Sequence, residues 1–248
     1  MQQRKDAYTH SRFLTVTPKK GPEKADAWFQ RSGGILTDLH IVGEFSSDDR
    51  SRMFKDAAST IWSSLDTLTI ITRSSSDDVF SVLPPTAVDG LRPRKFVVYS
   101  KKLNDESLRA LTNVDGSRMR HFALTTFCSE IRVADFNFTS LTTLMLCAPV
   151  SFWDLSLLLK KNPLLENLVL ESRLASISPD GDVEDLELDH LVRLELINSA
   201  FTRHCLEQVR FPNLKTLVVR HNSAFDIPAL IDGQKLAALE HLTLSILV

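Results

Sequence analysis

A chain of 248 residues with 43% hydrophobic content has the material for one large or two ordinary domains with a sizeable core. Its 29 Lys and Arg against 31 Asp and Glu leave a net charge of −2, so no global field directs it to nucleic acid or to a membrane surface. No apolar run approaches the roughly 18 residues of a spanning helix, and Cys128, Cys147 and Cys205 lie too far apart for a disulfide framework or a zinc site.

In chain order, residues 1–25 read as a polar, Lys-bearing tail with no apolar stretch of a secretory signal, which fits a cytoplasmic or nuclear protein. "LTDLHI" then places Leu36, Leu39 and Ile41 at spacings of three and two. A helix repeats its apolar residues every three to four positions and a half-buried strand every two, so the pattern is a turn residue followed by a short strand. "SSDDRSRMFKDAASTIW" (46–62) reads as a helix, opening on Ser and Asp with Met53, Phe54, Ala57, Ala58 and Ile61 at helical spacing. The strand pattern returns in "LDTLTI" (Leu65, Leu68, Ile70), weakly in "PRKFVV" (Phe96, Val98), and in "MRHFAL" (Met119, Phe122, Leu124). Between these last two, "NDESLRALTNV" is helical, with Asn104 at its start.

"LTTLML" (Leu141, Leu144, Leu146) follows, then a helix over "SFWDLSLLLKKN", opening at Ser151 and closing on Lys160 and Lys161. "LENLVL" gives Leu165, Leu168 and Leu170, and "LVRLEL" gives Leu191, Leu194 and Leu196. "LKTLVV" has Leu214, Leu217 and Val219, and "LEHLTL" has Leu239, Leu242 and Leu244. Pro163 and Pro212 end return segments and admit the next strand. Nine copies start 22 to 29 residues apart. That is close to the period of leucine-rich repeats.

The expected fold is therefore α/β: a leucine-rich-repeat solenoid over 26–248, with a curved parallel sheet on the concave side and helices and loops on the convex side. Nine strands would span about 40 Å along the sheet. The residues between the inward Leu positions project from the concave side. From them, His40, Lys95, Tyr99, His121, Met145, Asn167, Glu171, Arg193, Glu195, Arg220 and His241 are the candidate partner-binding residues. Their mixture of apolar, polar and charged groups suits a protein partner.

Chemistry-bearing motifs are absent from the sequence. There is no G-x-G-x-x-G, no phosphate-binding G-x-x-x-x-G-K, no G-x-S-x-G and no H-E-x-x-H, and eight glycines leave little material for phosphate loops. "SPDGDVEDLELD" carries Asp180, Asp182 and Glu184 like the front of a calcium loop, but Asp185 stands where Gly is required and Leu191 where the closing Glu belongs. Eight Arg and Lys between Leu91 and His121 read as a solvated flank, with no nucleic-acid motif among them. Trp28, Trp62 and Trp153 read as packing residues. No catalytic residue, metal or cofactor is expected.

"DAWFQRSGGILTDLHI" (26–41) resembles the Trp-hydrophobe-x-Arg-Ser-Gly stretch before the first repeat strand of fungal F-box/leucine-rich-repeat proteins. "IWSSLDTLTI" resembles their next strand, and "NPLLENLVL" and "FPNLKTLVV" their later repeats. The resemblance implies a substrate receptor of a cullin-type ubiquitin ligase, in which an F-box docks on an adaptor and the repeats hold a protein substrate. The 27 polar residues before Trp28 leave no room for an F-box, so adaptor docking is assigned to no residue here and is expected only if an F-box lies upstream. The apolar end, "LEHLTLSILV", lacks a polar cap. Both ends suggest a truncated gene product or incomplete gene model. The alternative is a free-standing repeat scaffold unrelated to ubiquitin; an enzyme with an unrecognised site is the third reading.

Overall fold

Each copy of the Leu pattern forms a strand, and the strands pair in chain order. A computed structural model describes residues 13–18, 27, 36–45, 59–72, 80, 83, 90–127, 131–171, 186–198, 208–221 and 236–246. Its main sheet has ten strands: β1 (Phe13–Val16), β2 (Asp38–Val42), β3 (Thr67–Thr72), β4 (Lys95–Ser100), β5 (His121–Thr125), β6 (Thr143–Cys147), β7 (Asn167–Leu170), β9 (Arg193–Ile197), β11 (Thr216–His221) and β12 (His241–Ile246). The two-residue strands β8 (Leu186–Glu187) and β10 (Val209–Arg210) form a separate parallel pair.

All main-sheet pairings are parallel and keep the repeat phase. Asp38 pairs with Thr67, Thr67 with Lys95, and the row continues through His121, Thr143, Asn167, Arg193 and Thr216 to His241. A slip of one residue would turn every Leu outward, so the apolar positions hold the register. One carbonyl per step joins neighbouring units at the strand entrance. Thr37 O accepts from the N–H groups of both Asp66 and Thr67, Asp66 O from Arg94 and Lys95, and so on to Lys215 O, which accepts from Glu240 and His241.

Seven strand-entry residues, Leu36, Leu65, Met119, Leu141, Leu165, Leu191 and Leu214, are at most 1% exposed, whereas Leu239 before β12 is only partly buried. In the weak third copy Leu91 and Pro93 are the buried residues before the strand. Turns closed by N–H to carbonyl bonds place several of them: Met119 to Gly116, Leu165 to Asn162, Leu191 to Leu188 and Leu214 to Phe211.

β1 lies within the stretch read as a polar tail. Its Leu14 and Val16 are buried and it pairs in phase with β2, Leu14 against Leu39. It escapes the repeat pattern because Ser11 stands where the entry Leu belongs.

Three helices lie among the described residues: α1 (Ser59–Ser64), α2 (Asp105–Asn113) and α3 (Phe152–Lys160). Asn104 caps α2 by accepting from Ser107 N–H at 2.8 Å, and Ser151 caps α3 by accepting from Asp154 N–H at 3.0 Å. Trp62, Leu111, Leu155, Leu158 and Leu159 join the inward strand residues in one apolar core. An aromatic row runs through it, Phe80 to Phe96 to Phe122 at 6.1 Å between centroids each, then Phe138 at 4.7 Å.

Of the three tryptophans, Trp62 is fully buried as expected, whereas Trp153 is 46% exposed and is not a packing residue in the same sense. Trp28, the "WFQRSGG" stretch, the first part of the helix expected over 46–62, Asp180, Asp182, Glu184, Cys128 and Cys205 lie outside the described residues. No helix among the described residues is long and apolar enough to cross a membrane.

Candidate protein-binding face

Strand alternation sends the residues between the inward pairs to the opposite side of the sheet from the core. None of these outward residues belongs to the apolar core cluster. The ladder arranges them in three columns. The first contains Lys95, His121, Asn167, Arg193 and His241, the second His40, Met145 and Glu195, and the third Tyr99 and Arg220. Glu171 follows the end of β7, its N–H donating to Leu146 O at 2.8 Å. The sequence-predicted residues thus share one face but spread over the sheet from β2 to β12 instead of meeting at a point.

The centre of this face is apolar. Val97, Ala123, Met145 and Val169 stand side by side in the second column on β4 to β7. Lys95, His121, Thr143 and Asn167 border them on one side, and Tyr99, Thr125 and Cys147 on the other. An apolar strip inside a polar rim has the anatomy of a protein interface.

Glu195 departs from its neighbours. It is only 8% exposed, because Arg193 on its own strand reaches it at 2.8 Å and Arg220 on β11 at 3.4 Å. Two guanidinium groups compensate the burial of one carboxylate. The surface this trio offers is arginine, with the carboxylate beneath.

Two histidines sit on the face. Burial holds His121 below the ordinary histidine value, and Lys95 pushes the same way. His40 is also lowered, by burial first; Asp38 opposes this and Lys95 adds to it. The His40 ring lies 4.7 Å from that of Phe13, so β1 covers part of this end of the face. In the basic stretch, Arg92 pairs with Asp115 at 2.9 Å and Arg94 with Asp66 at 3.8 Å.

A cavity of about 290 Å³ opens beyond the carboxyl ends of β5, β6, β7 and β9. Its walls include three third-column residues, Thr125, Cys147 and Glu171, together with Thr126, Phe127 and Asn198. Burial raises the Cys147 thiol to about 11, hydrogen bonds to Thr125 and Glu171 acting in opposite directions on it. Thr126 Oγ1 and Asn198 Oδ1 are buried without a hydrogen-bond partner. Asn198 takes a left-handed backbone, φ 44°, which Asn tolerates better than most residues. Phe127 stands 70% exposed at the rim.

The repeat pattern did not point to Thr126, Phe127 or Asn198, which follow strand ends where Leu spacing carries no information. The available signal was the polar "NS" directly after β9. Among the described residues no group of three His, Cys, Asp or Glu gathers as a metal site would require. Comparison of the chain with family models, characterised proteins and solved structures finds no match.

Proposed function

We propose that this chain is a non-enzymatic protein-binding module, a leucine-rich-repeat solenoid whose outward sheet face is the concave binding surface. One observation carries the reading. The strip Val97, Ala123, Met145 and Val169 crosses four adjacent strands with a polar border on both sides. Val97, Met145 and Val169 are half-buried and Ala123 is buried, so a partner laid over them removes the apolar surface that remains in water, and the polar border fixes what covers it. In-phase pairing over nine copies supports the solenoid, since each unit leaves an apolar edge that only the next can bury.

Within this reading, the resemblance to F-box/leucine-rich-repeat proteins makes the bound partner a substrate for ubiquitin transfer. A free-standing scaffold would use the same face for another assembly. Co-purification of a cullin-ligase adaptor with the protein expressed from its own locus favours the first, and its absence favours the second.

The binding reading itself is tested by comparing the partners captured by the full chain with those captured by a Tyr99→Asp/Met145→Asp variant. Arg132→Glu, on the 3-10 turn Val133–Asp135 side of the chain, serves as the control. Loss in the face variant with retention in the control is the expected result. Equal capture by all three would refute it.

A further inference from the structure

The cavity at the carboxyl ends of β5 to β9 has a composition that selects its occupant. We infer that it is an arginine socket, receiving the guanidinium of a protein partner laid along the apolar strip; the inference rests on the protein-binding reading and deepens it. Four observations converge.

Position comes first. Thr125, Cys147 and Glu171 belong both to the third column of the face and to the cavity wall, so the socket continues the face. Size comes second. At about 290 Å³ it lies at the lower limit of small-ligand sites and suits one side chain better than a nucleotide.

The third observation is polarity. Thr126, 1% exposed, presents an unpartnered Oγ1, and Asn198 an unpartnered Oδ1. A buried polar atom without a partner is costly, so a ligand that supplies the missing bonds recovers that cost on binding. An amide oxygen needs a donor, and a hydroxyl accepts one readily. The fourth is charge. Glu171 is the sole charged residue lining the cavity among those described. Arg220, in the same column on β11, does not line the cavity and is held on Glu195.

The socket therefore asks for a group that is cationic and rich in donors. Guanidinium carries five N–H donors in a planar fork, whereas a lysine ammonium is a compact point charge with three. The plane of a guanidinium also stacks on an aromatic face, and Phe127 at the rim offers one. Arginine meets all three demands of charge, donor number and planarity.

The test is methyl-detected NMR on the full chain, titrated with N-acetyl-arginine methylamide and with its lysine and citrulline counterparts. The expected result is saturable movement of the Thr125, Thr126 and Ala148 methyl signals by the arginine compound, with weaker binding of lysine. Citrulline keeps the shape without the charge and should bind about tenfold more weakly or worse. Glu171→Gln should weaken arginine by a similar factor, and Phe127→Ala by less. Lys215→Gln, on the exposed Lys215–Glu240 pair away from the cavity wall, should leave arginine binding intact.

Citrulline binding as well as arginine, lysine binding better, an unchanged affinity in Glu171→Gln, or no saturable shift at these methyls would each overturn the socket. If the socket fails while Tyr99→Asp/Met145→Asp still loses its partners, the protein-binding reading stands without it. If arginine binds and those substitutions change nothing, the face reading is the one that falls.

Discussion

Arg220 on β11 reaches Glu195 on β9 at 3.4 Å, completing a clamp that Arg193 begins at 2.8 Å. The carboxylate is nearly enclosed while both guanidinium groups remain partly in water. Removing the carboxylate leaves two like charges side by side, whereas removing one arginine leaves the other in place. Glu195→Ala is therefore expected to cost about 1–2 kcal/mol in urea unfolding, and Arg220→Ala less. An equal or larger loss in Arg220→Ala would place the stabilisation elsewhere.

Asn162 holds three backbone groups from inside the core. Its Oδ1 accepts from Leu141 N–H at 2.9 Å, and its Nδ2 donates to Phe138 O at 2.9 Å and Leu158 O at 2.8 Å. The residue is 1% exposed, so water cannot replace these bonds. Asn162→Leu is expected to destabilise by about 2–4 kcal/mol despite its greater hydrophobicity. A variant as stable as the parent by denaturant titration would contradict this.

The Leu pattern made the strands, their order and their inward residues legible. Spacing of three and two fixes which side of a strand meets the core, and near-even repetition fixes which strand comes next. Asn162 was not legible, because in sequence it is only the polar end of a helix before Pro163, and its partners Leu141 and Phe138 lie more than 20 positions earlier. β1 was missed for the opposite reason: Leu14 and Val16 pack as the others do, but Ser11 breaks the entry position. The face was readable as a set of columns. Its contents were less so, since the burial of Glu195 depends on an arginine 25 positions later in the chain.

Protonation should loosen the face. His40 and His121 both sit below the ordinary histidine value of 6.5 in the folded chain, burial being the first cause in each. As pH falls through about 6.5 the unfolded chain takes up protons first, so stability drops until the folded histidines titrate as well. The urea midpoint should therefore be lower at about pH 5.5 than at about pH 7.5. A His40→Gln/His121→Gln variant should show a smaller difference, and an undiminished one would assign the effect to other groups.

Cys147 should be chemically silent in the folded chain. The residue is 5% exposed, and burial raises its thiol to about 11, so little thiolate is available near neutral pH. Peptide mapping after brief iodoacetamide treatment should find residue 147 unmodified in native protein and modified in urea. Fast native alkylation at that residue would mean that burial does not hold the thiol protonated.

β12 ends the main sheet among the described residues, and its inward Leu242 and Leu244 are 43% and 45% exposed. An apolar edge strand invites pairing with another chain. The isolated chain should therefore self-associate with concentration, and Leu242→Lys/Leu244→Lys should reduce this in sedimentation velocity. Equal association in parent and variant would move the contact away from β12.

The central claim is that the apolar strip of the outward face binds protein, and a partner need not be known to test it. A random peptide-display library selected on the full chain, then re-screened on Met145→Asp, measures this directly. Enriched peptides that bind the parent, lose binding to Met145→Asp and keep it with Arg132→Glu are the predicted result. Peptides that ignore Met145→Asp, or a library that yields no binders to the folded chain, would contradict it.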